Sequence, residues 1–473
     1  MIQLPIRSQD VLEGLSAKRS LELEQLFGNG DLIRALNILG ISGPFKVQSP
    51  WELEDELGRH LINAGGYAAL PFGESHPELI TFITTFLAQN QSMSLPQQSV
   101  TAWRAALETN LVSLLAQHAP SHNDSQVFFS NSGAEAVEAA LKLAKAARPK
   151  ASIIINFSHA YHGKTLGALS LTPNEEYQDP FRPLLSDIQT LAYGDANAFE
   201  QTVKDIGADK IVAVIFEPIQ GEAGVIIPPP EFLPAIYQVC QKYGILMIAD
   251  EIQSGLGRTG HWFASIAMGL EPDIITLAKP LGGGMVATGA TIARKWIVKK
   301  VLGGIYGKRH SNTFGGNSLT MAVGLKSLEL LLDHKLVERS KQLGIQGLGR
   351  LKQIQETYPG YIKEVRGAGM LFAIQLRHVI KPALIPGQAE LIRQLGTGMA
   401  LRILHLNGLH VCYTQNSSRT FRLTPALNMP EELFLEMFHR LEQTAKTNSK
   451  AWHMLGKTSP IRLLRLAKLA FEA

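Results

Sequence analysis

The run IVAVIF, residues 211–216, is apolar throughout, and four of its six residues are β-branched. A strand with one wet face would alternate apolar and polar side chains, so an unbroken run of this length suits a sheet covered on both sides. The same texture recurs on either side of it. Upstream stand VFF (127–129) and SIIIN (152–156); downstream come ILMIAD (245–250), DIITLA (273–278) and ATIA (290–293). The segments between them carry helical periodicity, and strands alternating with helices imply an α/β fold with a mostly parallel sheet. This alternation fills residues 96–330, the expected large domain. Residues 331–445 are helix-rich and close on FRLTPAL (421–427), which suggests a smaller α+β domain. Residues 1–95 are a mixed, turn-rich N-terminal segment, and 446–473 form a separate tail.

With 473 residues, 45% hydrophobic and 18% charged, the chain can bury a sizeable core and has the balance of a soluble globular protein. A formal net charge of +4 gives no electrostatic case for nucleic acid. Cys240 and Cys412 lack metal-ligand spacing and cannot build a disulfide framework. They suit a reducing compartment, as small buried hydrophobes. MIQLPIRSQD has no signal-peptide apolar region, and no apolar run approaches the ~20 residues that span a bilayer. A cytoplasmic location is the expectation.

Ligands of parallel α/β sheets bind where strands end and helices begin. DIITLA runs into Lys279, followed by proline and three glycines. A lysine there loses hydration and needs a partner, and partial desolvation makes it a better amine nucleophile toward carbonyls. VFFSNSGAEAVEAALKLAKAA reads as a strand, a turn carrying Ser130, Asn131, Ser132 and Gly133, and a helix. The unpaired amides and dipole of that helix start form a phosphate cup, although Ser132 as a plain N-cap explains the turn equally well. ILMIADEIQ ends in Asp250 and Glu251, with Gln253 close behind. A protonated pyridine nitrogen would satisfy Asp250, as would a helix N-terminus or a structural ion pair. In HAYHGKTLGALSLT (159–172), Tyr161 could lie flat on a planar ring or simply pack in the core. A Walker loop would need glycine at Ser158, and His159 and His162 are too close and too unsupported to argue for a metal.

A phosphate cup, an aromatic plate, an acid for a pyridine nitrogen and a strand-end lysine together describe pyridoxal 5′-phosphate, linked through Lys279. NSGAEAVEAALKLAK, YHGKTLGALS, FEPIQGEAGVIIPPP, ADEIQSGLGRTGHWFA, PDIITLAKPLGGG and NTFGGNSL resemble the class III aminotransferases of the ornithine, acetylornithine and putrescine type. The resemblance runs from GESHP (73–77) to FRLTPAL. It implies fold type I, with a mostly parallel seven-stranded sheet in the large domain, and a homodimer to which the N-terminal segment contributes contacts.

By that resemblance Lys279 is the Schiff-base lysine, Asp250 pairs with the pyridine nitrogen and Gln253 contacts the ring hydroxyl. Ser132, Gly133 and Ala134 take the phosphate, while Tyr161 and His162 lie at the ring. Thr313 reaches the phosphate of the neighbouring subunit. Arg422 receives the α-carboxylate of 2-oxoglutarate or glutamate, and Glu222 pairs with it when none is bound. The implied reaction is ping-pong transfer of an ω-amino group to a 2-oxo acid. Racemases and decarboxylases of this fold need no Glu222–Arg422 switch.

Two departures bear on the donor. The family's HGRT is HGKT here, and Lys164 cannot make the bidentate carboxylate clamp of an arginine. The chain is similar at this place to the putrescine-type members, which also have lysine, and that resemblance tilts the donor toward a diamine or another ω-amine. Tyr67 falls near a donor-pocket position of the ornithine enzymes. The tail SPIRLLRLAKLAFEA (459–473) lies outside the family pattern. Arg462, Arg465 and Lys468 recur between leucines, as in a helix packed on the body or a docking surface for a partner protein.

Overall fold

The computed structural model describes residues 4–91, 93, 99–377, 389–417, 419–448 and 459–471. Its central sheet has seven strands, in the order Gln126–Ser130, Gly289–Ala293, Ile274–Leu277, Leu246–Asp250, Ile211–Phe216, Ile153–Phe157 and Ile188–Leu191. Neighbours from Ile274–Leu277 onward are parallel, and Gly289–Ala293 runs antiparallel to both of its neighbours. The apolar runs read from sequence are all in this sheet. The strand that reading missed is the edge strand Ile188–Leu191, which has Gln189 and Thr190 exposed. An edge covered on one side needs no continuous apolar run, so it leaves a weaker signal.

Alternate side chains of the buried strands serve opposite faces. Ala213, Ile215, Ile248 and Ile274 join Val137, Ala140, Leu141 and Ala144 of the helix Gly133–Ala147. Val214, Phe216, Met247 and Ile275 belong to the opposite core, with Phe232 and Ile236 of the helix Phe232–Tyr243. Fully burying each of the larger of these side chains, from valine to phenylalanine, contributes roughly 1.5–3 kcal/mol. Both cysteines are buried and free.

Two smaller sheets flank this body. Lys46–Ser49, Glu52–Glu54 and His60–Asn63 form a meander completed by Leu409–His410, which runs parallel to His60–Asn63. The N-terminal segment is therefore stitched to chain more than three hundred residues away. The other sheet, in the order Ile362–Ala368, Leu371–Leu376, Thr420–Leu423 and Cys412–Tyr413, is antiparallel and carries Arg422. Arg258, wholly buried, ties this region to the central sheet by donating to the carbonyls of Met370 at 3.0 Å and Pro425 at 2.6 Å.

The tail helix Pro460–Phe471 packs against the helices Gly30–Leu39 and Ala389–Leu406. Arg462 donates to the carbonyl of Ile38 at 2.8 Å, and Arg402 to that of Leu39 at 2.6 Å. Two guanidinium groups thus satisfy the carbonyl end of one helix, where cations are favoured. No helix among the described residues is long and apolar enough to cross a membrane.

Candidate active site

Strand ends and the loops after them enclose a cleft of about 550 Å³, lined among others by Ser132, Tyr161, Asp250 and Lys279. Lys279 opens the short 3₁₀ turn Lys279–Gly282 with φ at 30°. A non-glycine residue held in the left-handed region carries strain, and such strain clusters at functional sites. Burial holds its ammonium pKa below the ordinary lysine value; Glu222 opposes that shift and Arg422 adds to it.

Asp250 ends its strand 4% exposed. One carboxylate oxygen accepts from the amide of Ile252 at 3.1 Å and from the hydroxyl of Thr276 at 3.3 Å. The other lies 2.7 Å from Nδ1 of His162. His162 is buried, and its Nε2 has no partner among the described residues. The N-cap reading of Ser132 holds, and it leaves the helix start open to a phosphate. The Ser132 hydroxyl accepts from the amide of Glu135 at 3.2 Å as an N-cap, while Gly133 and Ala134, at the first helical positions, present amides with no intrahelical acceptor.

Glycine is needed where the cup closes. A Cβ on Gly133 would stand 2.9 Å from Ile252, and one on Gly163, whose φ is +126°, would stand 2.6 Å from the Cβ of Ala134. Glu138 accepts from the hydroxyl of Thr165 and the amides of Gly167 and Ala168, pinning the HGKT loop to the cup helix.

Glu222 and Gln253 also line the cleft, and Arg422, fully buried, pairs with Glu222 at 2.5 Å. Its Nη1 also donates to Oε1 of Gln253 at 2.9 Å, while Nε and Nη2 have no partner among the described residues. Gln253 is thereby engaged by the arginine. Lys164 lines the cleft and is exposed, with its Nζ 4.0 Å from the centroid of the Tyr177 ring. Tyr67 lies 5.9 Å from the Arg422 guanidinium, but its side chain lines an adjoining cavity. Thr313 is exposed and is not among the residues lining the cleft of its own chain.

Sequence reasoning passed over Glu217 and Thr288. Glu217 is buried and lines the cleft; one oxygen accepts from the amide of Tyr161 at 2.9 Å and the other from that of Gly221 at 3.0 Å. Burial pushes its carboxyl up from 4.5 to about 7, against the pull of His162. Thr288, also at the cleft, has a buried hydroxyl without a partner among the described residues. Glu217 had a signal, a carboxylate just after the buried run IVAVIF; Thr288, in a loop, had none.

These residues fit pyridoxal 5′-phosphate. Open helix-start amides suit a phosphate, a buried carboxylate suits a protonated ring nitrogen, and the depressed lysine suits an aldehyde. Residues 49–445 match the family Aminotransferase class-III. The chain belongs to that family and is a pyridoxal-phosphate-dependent transaminase of fold type I. It is 37% identical over 393 residues to a putrescine aminotransferase from Pectobacterium atrosepticum, covering 82% of this chain and 79% of that one. Its fold is similar to that of the ornithine aminotransferase from Toxoplasma gondii, at 26% identity and a TM-score of 0.78, covering 92% of this chain and 96% of that one. It is likewise similar to the acetylornithine aminotransferase from Elizabethkingia anophelis, at 27% identity and a TM-score of 0.73, covering 91% and 99%.

Proposed function

We propose that this enzyme takes the terminal amino group of a diamine and passes it to a 2-oxo acid, 2-oxoglutarate being the acceptor. The observation that carries this reading is the closed Arg422–Glu222 pair at 2.5 Å. With Arg422 neutralised, the cations lining the cleft are Lys279 and Lys164, and Lys164 rests on the Tyr177 ring. A donor without a carboxylate meets no buried cation left unpaired; a donor with one would need a clamp that a single ammonium cannot form. The putrescine aminotransferase relative supports the same class of donor.

Bound cofactor supplies an electron sink for the bond broken at the donor carbon. Lys279 would hold the cofactor, and its Nζ would take the proton from that carbon. Asp250 would keep the ring nitrogen protonated, and His162, 2.7 Å from it, would fix its orientation. Tyr161 would cover the ring, Gln253 would contact its hydroxyl, and Ser132, Gly133 and Ala134 would hold the phosphate. Glu222 releases Arg422 when the acceptor brings its α-carboxylate. The working unit is a homodimer in which Thr313 reaches the phosphate of the second copy's site.

The test is a single-turnover absorbance titration without oxo acid. Putrescine, ornithine, N-acetylornithine, 4-aminobutyrate, lysine and alanine are added separately. Putrescine is expected to remove the cofactor's original band completely, and 2-oxoglutarate to restore it. A full response to 4-aminobutyrate or alanine with none to putrescine would overturn the donor assignment.

A further inference from the structure

Beside the catalytic cleft lies a second cavity of about 510 Å³ that the reaction above leaves unused. The chain around Gly66–Ala68 divides the two: Gly66 and Tyr67 line the cavity, while Ala69 and Leu70 line the cleft. Tyr67 takes a left-handed φ of 52° in this partition. The cavity walls combine aliphatic side chains such as Leu53, Leu401 and Leu409 with the rings of Phe45, Tyr67 and Tyr413.

Among the lining residues described, the one carboxylate is Glu74, and no lysine or arginine accompanies it. The two lining histidines supply no charge at neutral pH. Burial lowers the pKa of His405, which bonds to Asp55 at 2.9 Å, and brings His410 down to about 4. Glu74 has Asn63 as its partner at 3.5 Å, the outer limit of a hydrogen bond. Burial raises its carboxyl pKa, with Asn63 only partly opposing the shift. Its position is fixed by the turn before it. Gly73 has φ +81°, a Cβ there would stand 1.9 Å from the carbonyl oxygen of Pro50, and the Glu74 amide donates to that same oxygen at 2.8 Å.

A partly buried carboxylate without a cation, walled by aliphatic and aromatic side chains, is a receptor for an ammonium ion on an apolar chain. A carboxylate ligand would be repelled, and an uncharged one would leave Glu74 desolvated and unpaired.

We propose that this cavity binds the protonated far end of a linear diamine or polyamine, with Glu74 as its counter-ion and the Tyr67 and Tyr413 rings beside the chain. The inference rests on the diamine-donor reading and deepens it: the reacting amine would occupy the cleft, and the rest of the chain would have to cross the partition beside Tyr67 to reach Glu74. Selectivity for diamines over monoamines then comes from Glu74.

The test has a binding arm and a kinetic arm. Hexamethonium, a bis-quaternary amine with no N–H to react, is titrated calorimetrically into the cofactor-loaded enzyme and into its Glu74→Gln variant. Its affinity is expected to fall about ten-fold in the variant, the effect of losing one partly screened charge contact. In the kinetic arm, the ratio of kcat/KM for 1,4-diaminobutane to that for butylamine is expected to fall by a similar factor. Val47→Phe supplies an independent block: Val47 lines the cavity and is 47% exposed, so a larger ring can narrow the cavity without disturbing the core. Hexamethonium binding that is absent in wild type, or equal in wild type and Glu74→Gln, would overturn the inference. Turnover of neither 1,4-diaminobutane nor longer diamines would instead sink the donor reading, because the binding arm needs no turnover.

Discussion

Arg422 shares one guanidinium nitrogen between Glu222 and Gln253 and leaves Nε and Nη2 without partners among the described residues. A buried cation in that condition depends on its counter-ion. Glu222→Gln should cost about 3 kcal/mol of stability, the usual penalty for stripping one partner from a buried pair. It should also open the arginine to carboxylates. In stopped-flow half-reactions we expect the apparent affinity for glutamate to rise and the diamine half-reaction to slow; unchanged discrimination would show that the pair is not a switch. Glu217 has a pH signature with a definite sign. Its folded pKa, about 7, lies above 4.5, so the native state holds the proton more tightly between those values. The stability it contributes is fully present below 4.5 and is lost as pH rises through 7. In cofactor-free protein, the thermal midpoint of Glu217→Gln relative to wild type should therefore improve between about pH 5 and pH 8. A constant difference across that range would mean that Glu217 titrates normally.

At the scale of elements, the turn after IVAVIF does more than connect. Glu217 joins the amide of Tyr161 to that of Gly221, and a Cβ on Gly221 would stand 1.5 Å from Oε1 of Gln253. Gly221→Ala must push Gln253 aside and with it the Arg422 contact. We expect KM for 2-oxoglutarate to rise about ten-fold, as for loss of one charge-assisted hydrogen bond, with the diamine half-reaction less affected. The central strands were legible because a strand buried on two faces must be apolar at every position. Ile188–Leu191 was not, because an edge strand escapes that demand. The cup helix was legible for a similar local reason: Ser132 caps it, Gly133 opens it, and its buried face repeats with the helical period.

For the whole molecule, the proposed dimer makes a prediction that a monomer cannot meet. Thr313 is exposed, next in sequence to Phe314, which is 66% exposed. Thr313→Ala should weaken cofactor binding about ten-fold by removing a phosphate contact. In mixed dimers of Thr313→Ala with Lys279→Ala chains, one site regains both residues, so wild-type cofactor affinity should return in that site. No recovery would place Thr313 in its own chain's site. The tail helix belongs to the same scale. Arg462 closes the carbonyl end of the helix Gly30–Leu39, so segments near opposite ends of the chain stabilise each other.

Local pattern along the chain is enough for the α/β class, the strands of the buried sheet, and the strand-end placement of Asp250 and Lys279. Each follows from local rules: which side chains must be apolar, where a helix can start, what a desolvated charge requires. The family motifs added Glu222 and Arg422 as a pair, because their roles do not show in local pattern. Tertiary packing alone sets how the pair closes, that Gln253 is held by Arg422, that Glu217 bridges two site loops, and that Glu74 stands in an aliphatic and aromatic cavity without a cation among its described lining residues. Glu222 and Arg422 meet because Thr420–Leu423 packs against the loops after the central strands. A carboxylate's partner is chosen by the crossing of distant segments, and periodicity along the chain carries no record of that crossing.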